Sequence, residues 1–247
     1  MLGEPLIRRD VVASTMDMLA RLAAAGAPEG TTVVAEYQTA GRGRAGRQWV
    51  APPGTALLHS VLLRPKLAVQ RLTPLAILVA DAVVTTLEER YGLTARIKWP
   101  NDVLLNGQKV SGVLIQTRTF PGDAHPAVLV GVGINANVPV ADLPEGGTSL
   151  LVATGQPVDR DDLMRAFLAR LDVRYQELLA GDQADRVPAI QDRLAMRGEQ
   201  VSIVDGGTTV TGRLCGIDAS GALLLDTGEA DLRRIVVGDL TRGPRVV

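Results

Sequence analysis

Gly41-Arg42-Gly43-Arg44-Ala45-Gly46-Arg47-Gln48-Trp49, in one-letter form GRGRAGRQW, sets three glycines and three arginines within seven residues. Almost nothing in it is apolar enough to bury itself, so residues 41–54 are expected to form a loop that a ligand orders. Glycines let the backbone come close to that ligand, and guanidinium forks suit carboxylate or phosphate oxygens as charge-assisted donors. The expected ligand is therefore anionic. The same letters contain G-x-G-x-x-G (Gly41, Gly43, Gly46). A dinucleotide-binding turn, however, needs a helix next and an acidic residue about 20 positions on. Here Pro52-Pro53-Gly54 forbid the helix, and the stretch near Ser60 has no carboxylate.

The chain around this loop has 247 residues, 46% apolar and 21% charged, which suits one large core plus a small satellite domain. A net charge of −1, a pI near 6.2 and only 3% aromatic residues argue against a protein that coats nucleic acid. The single cysteine, Cys215, permits no internal disulfide and fits a reducing cytoplasm. Glu4, Arg8, Arg9, Asp10 and Asp17 break the first twenty residues, so a secretory leader is not expected. No uninterrupted apolar run is long enough for a membrane span.

Outward from the loop, Thr32–Gln38 and Thr55–Leu63 read as strands, which places the arginines at strand ends where sites are often built. Upstream, Ser14-Thr15-Met16-Asp17 looks like a helix start with Leu19, Leu22 and Ala23 on one apolar face; for Ser14 and Thr15 the plain reading is capping. Downstream, Thr73-Pro74 opens a helix closed by Gly92, with Asp81 and Glu88-Glu89-Arg90 assigned to its wet side. Ala95–Trp99 is a strand, and Val103–Leu105 pairs with Lys109–Ile115 across the Asn106-Gly107 turn, a strong hairpin signal. Gly112 leaves room for an approach to that strand's face. Val128–Val132 is an apolar strand, taken as a sheet edge open to pairing between subunits. A helix starts at Asp159, with Leu163, Phe167, Leu171, Tyr175 and Leu178 inward, and stops at Gly181. From about Gly198 the helical period vanishes. Strands near 199–204, 208–217, 222–226 and 231–237, with turns at Asp205-Gly206-Gly207 and Ser220-Gly221, predict a small β-module. Cys215 lies inside one of its strands and reads as a packed apolar residue.

A second motif outweighs the reading of the arginine run as a merely solvated turn. Lys98-Trp99-Pro100-Asn101-Asp102 is followed seven residues later by Lys109-Val110-Ser111-Gly112. Taken with the glycine loop, the K-x-x-G-x-L segment and Gly131-Val132-Gly133-Ile134-Asn135, this order closely resembles the biotin protein ligases over nearly the whole chain. The resemblance implies a mixed α/β-sheet backed by helices, akin to the class II aminoacyl-tRNA synthetases, over residues 1–196. An SH3-like barrel would then fill 197–247. It also implies ATP, biotin and Mg2+, with biotinyl-5′-adenylate formed first and the biotinyl group then passed to a lysine of a carboxylase's biotin carboxyl carrier domain.

Residue by residue, the family likeness assigns Ser14, Thr15, Gln38, Gly41, Arg42, Gly43 and Gly112 to biotin. Arg44 and Lys109 belong to both biotin and nucleotide, with Lys109 between the two acids. Arg47, Trp49, Asn101, Asp102 and Asn135 fall to the nucleotide side, and Asp102 is a candidate for orienting or deprotonating the acceptor lysine. Met16 departs from the polar residue of many relatives. No metal ligand is assigned. The implied protein is cytoplasmic, a monomer or weak homodimer, and binds neither membrane nor DNA, since the thirteen residues before Ser14 are too few for a helix-turn-helix module. The residues themselves agree with adenylate chemistry, because neither His59 nor His125 sits in a nucleophile motif. Two alternatives remain open: a lipoate or octanoate ligase or transferase, and a non-catalytic biotin-binding regulator.

Overall fold

The computed structural model describes residues 2–181, 183–205 and 208–243. Its centre is a seven-stranded sheet of order β1-β2-β3-β7-β6-β5-β4. The strands are β1 (Leu6–Val12), β2 (Thr32–Gln38), β3 (Leu57–Leu63), β4 (Ala95–Lys98), β5 (Asp102–Leu105), β6 (Gln108–Arg118) and β7 (Ala127–Ile134). β1 runs parallel to β2, and every other pairing in this sheet is antiparallel. β7 lies between β3 and β6, so the expectation of an open edge near Val128 is wrong: both sides of that strand already carry ladder hydrogen bonds.

Both faces of the sheet are covered, which is why β3 reads as an unbroken apolar-rich run and is buried throughout. Helix α1 (Thr15–Ala24) packs Met16, Leu19 and Ala23 against Val33, Leu62 and Leu129 on one face. On the other face lie α2 (Leu75–Tyr91) and α4 (Arg160–Ala180), sharing a core with Val34, Val61 and Val130. Gly92 closes α2 at φ +64°, and Asp159 caps α4 by accepting from the Asp161 and Asp162 N–H groups. Two short helices, α3 (Leu150–Thr154) and α5 (Gln183–Gln191), and strand β1 carry too little periodicity to be found in the sequence.

Asp81 is a correction. It is 1% exposed, not on a wet face, because α2 is enclosed by α4 and the sheet. Arg174 Nε lies 2.6 Å from it, Arg193 also pairs with it, and Thr85 joins through both arginines. Those arginines come from 93 and 112 residues away, which no local pattern reveals.

The C-terminal module is an antiparallel sheet of β8 (Gln200–Asp205), β9 (Thr208–Ile217), β10 (Leu223–Asp226), β11 (Arg233–Ile235) and β12 (Asp239–Arg242), in the order β11-β10-β9-β8-β12. Two expectations change here. The strand expected over 231–237 is the shorter β11, and a further strand not foreseen, β12, follows beyond Gly238; β11 and β12 are the two edges, so the sheet is not a closed barrel among the described residues. Of the expected turn at Asp205-Gly206-Gly207, residues 206 and 207 lie outside the described residues.

Candidate active site

The glycine loop leaves the end of β2 and folds back on itself. Trp49 N–H donates to the Gly41 carbonyl at 3.0 Å and Gly43 N–H to the Arg47 carbonyl at 2.7 Å. A Cβ on Gly41 would stand 2.4 Å from the Trp49 carbonyl oxygen, so only glycine permits this closure. No helix follows, as the prolines require; the chain continues into β3.

The loop has anchors that the sequence did not reveal. Each arginine is tied to a different part of the fold: Arg42 to Asp17 of α1 at 2.6 Å, Arg44 to the Asn101 side-chain oxygen at 2.9 Å, and Arg47 to Asp239 of β12 at 3.0 Å. Trp49 packs with Ala51, Ala56, Leu58 and Val138 in a small cluster of its own. Its indole lies over the sheet where Gly112 of β6 faces Gly133 of β7. A Cβ on Gly133 would be 2.6 Å from Trp49 Cε2, and one on Gly112 would be 3.0 Å from Cζ3. The room foreseen at Gly112 is therefore filled by Trp49 and by the Lys109 side chain. Two residues earlier on β7, Gly131 makes the same kind of room for Met16, whose sulfur would be 2.6 Å from a Cβ there. The G-x-G spacing thus serves two neighbouring side chains on one face of one strand.

The cleft beneath the loop gathers Ser14, Thr15, Gln38, Arg42, Gly43, Arg44, Arg47, Trp49, Asn101, Asp102, Lys109 and Gly112. Of the residues expected in the site, these twelve line one cavity although they come from separate elements. Gly41 shapes the loop, and Asn135 stands apart. Thr15 is held by Gln38, whose Oε1 accepts from Thr15 N at 2.8 Å and from its hydroxyl at 3.1 Å. Ser60 Oγ, 2.8 Å from Thr15 Oγ1, completes the group; sequence reasoning missed it because a serine in an apolar strand carries no motif. Ser14 occupies the N-cap position of α1, but its hydroxyl makes no cap hydrogen bond, so capping does not consume it.

Lys109 Nζ sits 2.7 Å from Asp102 Oδ1 and 5.7 Å from the centroid of the Trp49 ring. Asn101 holds Arg44 with its oxygen while its amide donates to the Val113 carbonyl at 2.7 Å, which fixes the flip of the side chain. Asn135 belongs to a second cavity, on the far side of Trp49, with Val50 and the segment Pro144–Gly147. Its amide donates to the Thr148 carbonyl at 3.0 Å, pinning that segment to β7. Lys109, Gln48 and Trp49 border both cavities. Trp49 Nε1 is buried and has no hydrogen-bond partner.

No general base is apparent beyond Asp102. His59 also borders the cleft, but its ring stands edge-on to Phe167 of α4 at 5.0 Å between ring centroids, with neither ring nitrogen hydrogen-bonded. Burial lowers its pKa to about 3, so it stays neutral. Cys215 lies in β9 of the C-terminal module, outside the cleft.

A cationic loop, a lone lysine–carboxylate pair and two cavities meeting at that lysine define an enzyme that brings two acids together and stabilises the charge between them. Comparison with known proteins agrees. Residues 9–135 match the biotin/lipoate A/B protein ligase family and residues 198–240 the biotin protein ligase C-terminal domain. The bifunctional ligase/repressor BirA of Bacillus subtilis (strain 168) is 36% identical, over 98% of this chain and 75% of its own length. A biotin–[acetyl-CoA-carboxylase] ligase of Mycobacterium tuberculosis is 33% identical, over 89% of this chain and 83% of its own. Among solved structures, the biotin protein ligase from Aquifex aeolicus in complex with biotin and ATP superposes with a TM-score of 0.82 at 29% identity, covering 97% of this chain and all of that one. The chain belongs to the biotin protein ligase family.

Proposed function

We infer that the protein is a biotin–[acetyl-CoA-carboxylase] ligase: it joins biotin to AMP at the expense of ATP and passes the biotinyl group to a lysine of a carboxylase's carrier domain. The observation that carries the assignment is Lys109, which borders both cavities. Biotin lies in the cleft, its polar ring against Ser14, Thr15 and Gln38 and its carboxylate toward Lys109. The adenosine lies beyond Trp49, beside Asn135. A carboxylate oxygen attacks the α-phosphorus and pyrophosphate leaves, while Lys109 and the loop arginines neutralise the negative charge that otherwise keeps the two substrates apart. The acceptor amine then attacks the acyl carbon and AMP leaves; Asp102 orients that amine and takes its proton.

Magnesium enters as part of the nucleotide substrate. Among the described residues no three His, Cys, Asp or Glu side chains cluster, a donor set that fits a cation held chiefly by phosphate oxygens with one carboxylate added. We assign the catalytic unit to residues 1–196 and the C-terminal unit to 197–247, and place the protein in the cytoplasm as a monomer or weak homodimer. Given the net charge of −1, we propose no nucleic-acid partner. No helix among the described residues is long and apolar enough to cross a membrane.

A thioester-forming octanoate transferase would need its cysteine in the cleft, and a mere biotin sensor would need neither Lys109 nor the arginines. Incubation with ATP, labelled biotin and a carrier domain tests the assignment: label on the carrier, dependent on ATP and accompanied by pyrophosphate, is expected. ATP-independent transfer, or binding without pyrophosphate, would overturn it.

A further inference from the structure

The C-terminal module touches the arginine loop through Gly238 and Asp239. The Asp239 carboxylate presents both oxygens to Arg47 Nη2 at 3.0 Å, and its Oδ1 lies 3.7 Å from Arg44 Nη1. Beside it the Gly238 carbonyl accepts from Arg44 Nη2 at 3.3 Å. Gly238 is pressed onto β8: a Cβ there would stand 2.4 Å from Ile203 Cγ2 and 3.0 Å from the Val204 carbonyl oxygen. The module thus delivers a carboxylate and a carbonyl to two of the three loop arginines, acceptors of the kind that phosphate oxygens also provide.

On the ligase reading above, those arginines face the triphosphate, and we propose that Asp239 is a built-in phosphate surrogate. It holds Arg44 and Arg47 in place while the nucleotide site is empty, and it competes with the incoming triphosphate and the departing pyrophosphate. The strength of the pair fits such a role. The side chains of Arg47 and Asp239 are 59% and 47% exposed, and an ion pair so wetted biases an equilibrium by no more than about fivefold. A polyanion that brings several charge-assisted bonds displaces it readily, yet the carboxylate remains nearby and opposes tight retention of pyrophosphate. Arg42 is tied to Asp17 instead, so the biotin end of the loop stands outside this competition.

The test uses the 247-residue chain carrying Asp239→Asn, which keeps the side chain's shape and removes its charge. Titration calorimetry with magnesium pyrophosphate and with ATP in the absence of biotin should show binding about two- to fivefold tighter than wild type, with a larger gain at low salt. In turnover, the KM for ATP should fall and pyrophosphate inhibition should strengthen, while the KM for biotin stays unchanged and Asp239→Glu behaves as wild type. A merely structural joint predicts the opposite sign, because loosening it weakens nucleotide binding. Unchanged or weaker binding of both ligands by the Asn variant, in a preparation whose wild type makes biotinyl adenylate, overturns this proposal alone. A wild type that makes no adenylate from biotin and ATP overturns the ligase reading, and this proposal with it.

Discussion

The indole of Trp49 fills the space that a side chain at position 133 would need: a Cβ on Gly133 would meet its Cε2 at 2.6 Å and its Cδ2 at 2.9 Å. Gly133 has no positive φ, so its backbone tolerates alanine and the conflict is steric alone. Gly133→Ala should fold, displace the ring and raise the KM for ATP, at a cost of about 1–3 kcal/mol for the overpacking. Fluorescence reads the displacement, since Trp49 and Trp99 are the only tryptophans. An unchanged emission maximum and an unchanged KM would remove Trp49 from the nucleotide site.

Lys109→Ala removes the cation at the meeting point of two anions. Adenylate formation should fall on the order of a hundredfold or more, by analogy with the loss of one preorganised electrostatic donor. The fold should persist, since Lys109 is partly exposed and its backbone bonds to Gly146 and Thr148 do not depend on the side chain. Pyrophosphate release at the normal rate would refute the role.

Asp102→Asn separates the half-reactions. With the base gone, adenylate synthesis should continue while transfer from preformed adenylate to the carrier slows, and that loss should shrink as pH rises toward the ordinary lysine pKa of ~10.4. If adenylate synthesis collapses instead and excess magnesium restores it, Asp102 serves the metal–nucleotide side.

Asp81→Ala takes from Arg174, whose side chain is 6% exposed, its 2.6 Å partner and leaves it only the longer contacts to Glu177 at 3.4 Å and Thr85 at 3.3 Å. A loss of about 3–5 kcal/mol in unfolding free energy is expected, as for breaking a buried pair by removing one partner. Denaturant unfolding measures it, and a loss below about 1 kcal/mol, the scale of an exposed pair, would contradict the burial.

His59 makes stability depend on acid. Its folded pKa, lowered to about 3 from 6.5, means that the unfolded chain binds the proton and the native one does not. No penalty exists above pH 6.5; between there and about 3 stability falls by up to about 1.4 kcal/mol per pH unit as pH drops. His59→Leu should flatten that part of the curve in urea melts between neutral and mildly acid pH. An equal slope in both proteins would assign the acid sensitivity elsewhere.

The sequence by itself determined the elements whose signal is local. The Asn106-Gly107 hairpin needs two residues in the left-handed region, and φ values of +51° and +80° are found there. The α2 and α4 ends were legible from glycine and from the Asp159 cap, and the anionic character of the ligand from the arginine spacing alone. Most of the residues that line the cleft were likewise singled out from short motifs. Tertiary structure decided what those motifs face. Three arginines that looked unanchored find partners 25, 57 and 192 residues away, and Asp81 finds its own across the core. Gly112 looked like room for an approach to the strand face, and Trp49 uses that room together with the room at Gly133. Charge pairing and close packing act through space, so a chain written in one dimension carries the side chains that take part but not which of them meet.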